Sequence, residues 1–195
     1  MKYITVFCGS STGNDIEILE YSKMLGREMA TQGIGLVYGG AKVGLMGAVA
    51  DSVITSGGRA IGVLPRFFNK KEVAHDSLTE LVYVDSMQER KNIMNEKADG
   101  FIILPGAYGT LDELFEVLTL TQLHLLTKPI GVLNVGGFFD SLLDFLATCT
   151  SKGFLQPEHL GLLLSAPTPS ELIDKMRRWT PPSTSKWFLE RVGNS

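Results

Sequence analysis

The residues best suited to chemistry lie in one short segment, residues 104–113, which reads Leu-Pro-Gly-Ala-Tyr-Gly-Thr-Leu-Asp-Glu. The apolar run over residues 101–104 predicts a strand, and a turn with two glycines joins it to a helix predicted to begin at Thr110. Glycines let the backbone approach an anion closely, and the first N–H groups of a helix have no partners within it. The segment therefore predicts a phosphate site with the Thr110 hydroxyl as a donor and the Glu113 carboxylate one turn away.

A structural interpretation of the same pair stays open. Thr110 and Glu113 have the spacing of a capping box, in which the threonine hydroxyl caps the helix and the glutamate bonds back to the N-cap N–H. The spacing alone favours this cap, whereas the preceding Pro-Gly-x-x-Gly favours a phosphate site because a cap does not need it. Further along the helix, Glu116 and Thr119 extend a partly polar line that could border a pocket. The alternative for Thr119 is a hydroxyl bonded to its own helix backbone.

A second candidate segment, residues 86–94, starts a helix directly after a strand. Ser86 is a predicted N-cap with Glu89 as its capping partner. Arg90 and Lys91 place two cations in the first turns, where they oppose the helix dipole. A bound phosphate or a carboxylate partner would explain these cations, and a solvated basic face is the alternative.

Three glycine-containing turns follow three predicted strands, over residues 9–13, 39–47 and 106–109. None has the spacing of the dinucleotide fingerprint, and the Gly-Lys-Ser/Thr of a Walker A loop does not occur. Each turn alone could serve only tight folding. Because all three should meet at one edge of a parallel sheet, together they predict a mononucleotide pocket.

Short apolar runs alternate with helical patterns along the chain, which predicts an α/β fold with a parallel sheet and helices on both faces. The runs are apolar almost without alternation, as in strands that are buried on both sides. The predicted strands cover residues 3–8, 35–38, 60–64, 81–84, 101–104 and 130–134. The predicted helices are one containing residues 18–29 and others over residues 45–55, 87–97, 110–126, 139–151 and 170–179. Residues 65–79 are predicted to be irregular, as a lid or a partner contact.

Composition narrows the function classes. The chain has 195 residues, of which 44% are hydrophobic and 20% charged, and its net charge of −3 with a pI near 5.6 argues against nucleic-acid binding. No apolar run is long enough to span a membrane and no signal peptide is evident, so the expected location is cytoplasmic. Cys8 and Cys149 are expected to be free thiols. The three histidines have no metal-ligand spacing, and no metal site is predicted.

These motifs resemble the LONELY GUY (LOG) family of cytokinin riboside 5'-monophosphate phosphoribohydrolases, often mislabelled as lysine decarboxylases. The similar segments are Phe-Cys-Gly-Ser-Ser at residues 7–11, Tyr-Gly-Gly at 38–40 with Gly-Leu-Met-Gly at 44–47, Glu-Val-Ala-His at 72–75, Met-x-x-Arg-Lys at 87–91 and Pro-Gly-x-x-Gly-Thr-x-x-Glu at 105–113. The resemblance runs from Tyr3 to about Trp179. The lysine decarboxylase label has no support in the motifs, because nothing resembles a pyridoxal phosphate site.

The resemblance implies a single Rossmann-like domain, expected over residues 1–180 with a C-terminal tail over residues 181–195, and a homodimer. It implies hydrolysis of the N-glycosidic bond of a nucleoside 5'-monophosphate to the free base and ribose 5-phosphate, without a cofactor. Carried over position by position, Arg90 and Glu113 match the catalytic pair. The positions that match substrate contacts are Glu72, Lys91, Gly106, Ala107, Tyr108, Gly109, Thr110, Leu111, Asp112 and Thr119.

Two residues depart from the family pattern. Ala107 stands where the family usually has a second glycine, and its methyl is expected to tighten or shift the phosphate turn. Gln88 stands where the family often has histidine. Two alternative functions therefore stay open: a non-catalytic nucleotide-binding or carrier protein of the same fold, and a general nucleotide-salvage hydrolase.

Overall fold

The computed structural model describes residues 1–68 and 74–181. Within them, seven parallel strands form one sheet in the order β4-β3-β2-β1-β5-β6-β7. The strands are β1 (Tyr3–Phe7), β2 (Gly35–Tyr38), β3 (Ala60–Pro65), β4 (Glu80–Val84), β5 (Gly100–Ile103), β6 (Ile130–Leu133) and β7 (Leu163–Ala166). The predicted parallel α/β architecture is confirmed.

Helices cover both faces of the sheet. They are α1 (Ile16–Thr31), α2 (Gly44–Thr55), α3 (Met87–Lys97), α4 (Tyr108–Gln122), α5 (Asp140–Ser151), the short α6 (Pro157–Leu160) and α7 (Pro169–Arg178). One apolar core joins α1, α2 and α7 to the sheet, and a second joins α3, α4 and α5 to the opposite face. The strands are buried between these layers, which explains their continuous apolar runs.

The strand order places the functional edge. From β1 the chain moves outward through β2, β3 and β4, and then returns to pair β5 with the other side of β1. In open parallel sheets, ligands bind beyond the carboxyl ends of the strands where the order reverses in this way. The crevice between the ends of β1 and β5 is therefore the expected binding position.

Two parts of the chain differ from the sequence expectation. Strand β7 and the short α6 lie where no element was predicted, because the apolar run at residues 162–164 is too short to separate a strand from a loop. The predicted capping box at Thr110 is wrong, since α4 begins at Tyr108 and its N-cap, Ala107, makes no side-chain cap. Thr110 is thus inside the helix, and the Glu113 carboxylate is bound by an arginine instead.

The other predicted cap is present. The Ser86 hydroxyl accepts a hydrogen bond from the Glu89 N–H at 3.1 Å, and the Glu89 carboxylate accepts one from the Asp85 N–H at 2.8 Å. In the described part of the chain, no helix is long and apolar enough to cross a bilayer. Residues 182–195, which make up nearly all of the predicted tail, lie outside the described residues, as do residues 69–73 within the predicted irregular stretch.

Candidate active site

The three glycine-containing turns line one cavity of about 860 Å³ at the carboxyl ends of β1, β2, β3 and β5. Its walls include residues 8–15 after β1, Gly39 and Ala41 after β2, and residues 105–107 after β5. Pockets for small molecules commonly have volumes of about 300–1,000 Å³. The cavity is therefore large enough for a nucleotide, and the predicted convergence of the turns is confirmed.

Arg90 and Glu113 meet in the wall of this cavity. The Arg90 Nη1 donates to the Glu113 Oε1 at 2.7 Å, and the side chains are only 12% and 10% exposed. The Arg90 Nε also donates to the Val63 carbonyl in β3, at 3.2 Å. Because α3, α4 and β3 share these contacts, the guanidinium holds the carboxylate at a defined position over the cavity.

The surroundings of Glu113 affect its ionisation. Burial raises the pKa of the Glu113 carboxyl above its ordinary value, while the Arg90 cation opposes that rise. Burial also raises the pKa of the adjacent Cys8 thiol, so Cys8 contributes a neutral wall. Both cysteines are free, as expected. Glu113 is therefore a carboxyl in an environment of low polarity, as is typical of a catalytic acid or base.

Gly39 makes room for the arginine. A Cβ at this position would lie 2.4 Å from the Arg90 Nη2 and 2.9 Å from the Met46 Sδ. No side chain fits there without moving the guanidinium. The contact with Arg90 on α3 carries no local sequence signal, whereas the glycine turn itself was predicted.

The turn after β5 packs closely against the start of α4. A Cβ on Gly106 would lie 2.1 Å from the Thr110 Oγ1, so the hydroxyl rests directly against this glycine. Ala107 is the N-cap of α4, and its φ of −119° is a negative value that does not require glycine. Helices α2 and α4 both begin at the cavity and neither has a side-chain cap. Their first N–H groups are thus not satisfied by a capping side chain.

Lys91 lies apart from the cavity wall. Its ammonium contacts the Asp112 carboxylate at 3.2 Å and is in direct contact with the Glu116 carboxylate. The hydrogen bond to Glu116 is the main cause that raises the pKa of Lys91, so the lysine is held as a cation. A carboxylate partner, one of the two explanations offered by the sequence, thus accounts for this cation near a helix start.

Tyr108, Leu111 and Thr119 face a second, smaller groove of about 440 Å³ on the outer side of α4. Asp112 lines both this groove and the main cavity. The Thr119 hydroxyl donates to the Phe115 carbonyl at 2.7 Å, which is the helix-backbone alternative for this residue. The structure thus divides the predicted contact residues between two surfaces rather than one.

The remaining sequence candidates are placed as follows. Gly106, Ala107, Gly109 and Thr110 line the main cavity, whereas Glu72 lies outside the described residues. The Gln88 amide donates to the Asn92 side chain at 3.0 Å and does not line the cavity. The sequence interpretation missed an apolar wall whose residues come from five segments of the chain. Their only signal was their position after strands or near helix starts, and they are Ile18, Val43, Leu45, Met46, Phe68, Met87 and Phe138.

Comparisons with known proteins identify the family of this chain. A family model described as "Possible lysine decarboxylase" matches residues 46–176. The chain is 40% identical over 199 residues to the cytokinin riboside 5'-monophosphate phosphoribohydrolase LOG1 of Arabidopsis thaliana, covering 100% of this chain and 93% of that protein. The chain belongs to the LOG family. A second LOG relative, named "Probable cytokinin riboside 5'-monophosphate phosphoribohydrolase LOGL3" in Oryza sativa subsp. japonica, is 42% identical over 92% of this chain and 85% of its own length.

Solved structures share the fold of this LOG-family chain. The molybdenum cofactor carrier protein of Chlamydomonas reinhardtii superposes with a TM-score of 0.70 at 23% identity, over 90% of this chain and 96% of that one. At that identity the likeness shows the fold alone. The fold of the LOG-family chain is therefore shared with proteins of different names, and function has to be argued from the site.

Proposed function

We propose that this LOG-family chain hydrolyses the N-glycosidic bond of nucleoside 5'-monophosphates, releasing the free base and ribose 5-phosphate. The proposed substrates are adenosine 5'-monophosphate (AMP) and its N6-substituted forms, so that the base released is adenine or a cytokinin. The names of relatives 40–42% identical to the chain support this activity. The observation that carries the proposal is the buried Arg90–Glu113 pair, 2.7 Å apart, beside a glycine turn and an uncapped helix start.

The phosphate is the first anchor in the proposed complex. It binds at the turn of Gly106 to Thr110, where main-chain N–H groups and the positive end of the α4 dipole favour an anion. The Thr110 hydroxyl donates a further hydrogen bond. This placement directs the ribose toward Glu113, which lies three residues further along α4.

Bond cleavage is the second step. The bond between the ribose C1' and the base nitrogen breaks, the electron pair leaves with the base, and positive charge develops on the ribose. The oxygen of a water molecule forms the new bond to C1', and the Glu113 carboxylate stabilises the positive charge and accepts a proton from that water. The departing base takes up one proton from the solvent and Glu113 later releases its proton to the solvent, so one water is consumed. Arg90 orients Glu113 and binds the phosphate or the ribose hydroxyls. The steps use neither a cofactor nor a metal.

The apolar wall receives the base and its substituent. Val43, Met46, Phe68 and Phe138 line the same cavity as the catalytic pair. Apolar side chains favour a hydrophobic N6 substituent over a bare amino group, because burial of the substituent removes its surface from water. This wall supports a preference for prenylated AMP over AMP.

A homodimer is proposed as the working form. Tyr108, Leu111 and Thr119 match substrate-contact positions of the family but face the outer groove of α4. Association of two chains through this face would bring these side chains to a cavity. Tyr108 is 92% exposed and Phe115 38% exposed, which suits an interface that a second copy covers. The cytoplasmic location expected from the sequence stays a prediction.

The test is an assay for free base with a nucleotide panel. Purified protein is incubated with AMP, N6-isopentenyl-AMP, GMP and CMP, and the released bases are separated by chromatography. Release of the prenylated base at the highest rate is the expected result. Similar rates across the panel would support the general salvage hydrolase instead. Tight binding of AMP with no base released from any nucleotide would contradict the enzyme and support the carrier.

A further inference from the structure

The contact between α3 and α4 consists of two neighbouring ion-pair systems. Arg90 on α3 binds Glu113 on α4, and the next residue, Lys91, binds Asp112 and Glu116. Asp112 and Glu116 lie four residues apart on α4, so they share one helix face and can hold one ammonium together. The contacts of Lys91 are therefore placed to fix the distance between α3 and α4, on which the Arg90–Glu113 pair depends.

Helix α3 has little apolar burial to hold it in place. Met94 is its only buried residue. The orientation of its first turns thus depends on polar contacts, which are the Ser86 cap and the side chains of Arg90 and Lys91. A change in the polar contacts of Lys91 can consequently move its neighbour Arg90.

The three members of the second system differ in exposure. The side chain of Lys91 is 14% exposed and that of Glu116 is 24% exposed, whereas Asp112 is 65% exposed. Ion pairs are weak at exposed positions because water screens them, and stronger where the partners are shielded. Glu116 is therefore the main partner of Lys91.

We infer that Glu116 is a positioning residue of the active site: it holds Lys91, and this contact keeps Arg90 on α3 in register with Glu113 on α4. The inference rests on the proposed hydrolase function. It also gives Lys91 a different role from the substrate contact expected from the family resemblance, because its ammonium is bound to α4 and does not line the main cavity.

Glu116→Gln tests the inference because it removes the charge and keeps the shape. A matched control is Glu80→Gln, since Glu80 pairs with Lys97 at the other end of α3 at 3.5 Å. Displacement of catalytic groups by about 1 Å can cost about 100-fold in rate, so a partial loosening is expected to lower kcat for N6-isopentenyl-AMP about tenfold. The control should keep its kcat within about twofold, as expected for an exposed ion pair.

Binding provides a second readout that does not depend on turnover. Ribose 5-phosphate is titrated by calorimetry into the full chain and into Glu116→Gln, Lys91→Gln and the double variant. We expect Glu116→Gln and Lys91→Gln to change its Kd by the same factor, within about twofold of each other, because both act only through the position of Arg90, which binds the sugar phosphate in the proposed complex. The double variant should lose no more kcat than the worse single variant, since both break the same contact.

The outcomes separate the two claims. An unchanged kcat in Glu116→Gln, a Kd in Lys91→Gln tenfold weaker than the Kd in Glu116→Gln, additive losses in the double variant or an equal loss in Glu80→Gln would each overturn the positioning role while the hydrolase stands. Absence of base release from the unaltered chain would overturn the proposed function, and this inference would fall with it.

Discussion

Glu113 combines two properties that the proposed chemistry needs. Its carboxyl is buried, which raises its pKa, and it is hydrogen-bonded to an arginine that favours the ionised form. A group balanced in this way can stabilise positive charge and accept a proton. The balance makes the activity sensitive to pH and to Arg90.

The pH dependence of kcat/KM tests this balance. The ionised carboxylate is the active form, so activity should fall as the pH drops through the raised pKa of Glu113. This fall forms the acid limb of the pH profile, and its midpoint should lie above the ordinary glutamate pKa of about 4.3. In Arg90→Ala the opposing cation is lost, so the limb should move to higher pH and kcat/KM should fall about 100-fold or more.

The control for this prediction is Arg27→Ala, because Arg27 is an exposed arginine on α1. It should keep the acid limb of the unaltered chain. An acid limb at the ordinary glutamate value, or a shift to lower pH in Arg90→Ala, would contradict the role of the pair.

The sequence predicted some of these residues better than others. Arg90 and Glu113 could be proposed from their motifs because residue type and spacing are local. Gly39 could be seen only as a turn glycine, because its contact with Arg90 joins residues 51 positions apart in the chain. Lys91 was expected to contact the substrate, and the sequence could not show that its ammonium contacts the carboxylates of Asp112 and Glu116.

At the scale of elements, the start of α4 and the turn before it form the proposed phosphate site. The helix begins two residues earlier than its threonine suggested, so Gly109 lies within the first turn. The hydroxyl of Thr110 consequently lies against Gly106 and does not cap the helix. A close contact therefore requires glycine at position 106, whereas no contact within the chain requires it at position 109.

Alanine substitutions at these two glycines should show the difference between them in the free energy of unfolding. In Gly106→Ala the new Cβ would lie 2.1 Å from the Thr110 Oγ1 and 2.7 Å from its Cβ, so we expect a stability loss of about 1–3 kcal/mol from overpacking. In Gly109→Ala nothing lies within 4 Å of the new Cβ, and a helical alanine is favoured by up to about 1 kcal/mol. Urea denaturation measures both. Equal effects of the two substitutions would refute this description of the turn.

The elements themselves were largely predictable, because buried parallel strands and amphipathic helices have strong local patterns. The six predicted strands and six predicted helices all have counterparts in the structure, most with bounds within two residues. Strand β7 was missed because three consecutive leucines at an edge carry no period. The end of α4 was placed too far along, since the chain leaves the helix after Gln122 although Leu123, Leu125 and Leu126 are still apolar.

At the scale of the whole molecule, one reversal in strand order brings the ends of β1 and β5 together and creates the cavity. Every proposed catalytic group comes from a segment that follows a strand at this edge. The outer face of α4 is a separate surface with exposed aromatic residues, and the proposed homodimer uses it.

Phe115→Glu tests the dimer. It puts a charge into the outer groove, so we expect a dimer of the 21.3 kDa chain to dissociate into monomers, as measured by light scattering after gel filtration. Met24→Glu is the control, because Met24 is 40% exposed on α1, at the opposite face of the sheet. A monomeric unaltered chain, or a dimer that survives Phe115→Glu, would contradict this interface.

The most direct test of the central claim is base release from N6-isopentenyl-AMP by Glu113→Gln. The amide keeps the shape of the side chain and an oxygen that can accept from Arg90, but it cannot take a proton from water. The account predicts a loss of more than about 100-fold in kcat, with ribose 5-phosphate still bound and the fold retained by circular dichroism. Turnover by Glu113→Gln near the rate of the unaltered chain would contradict it.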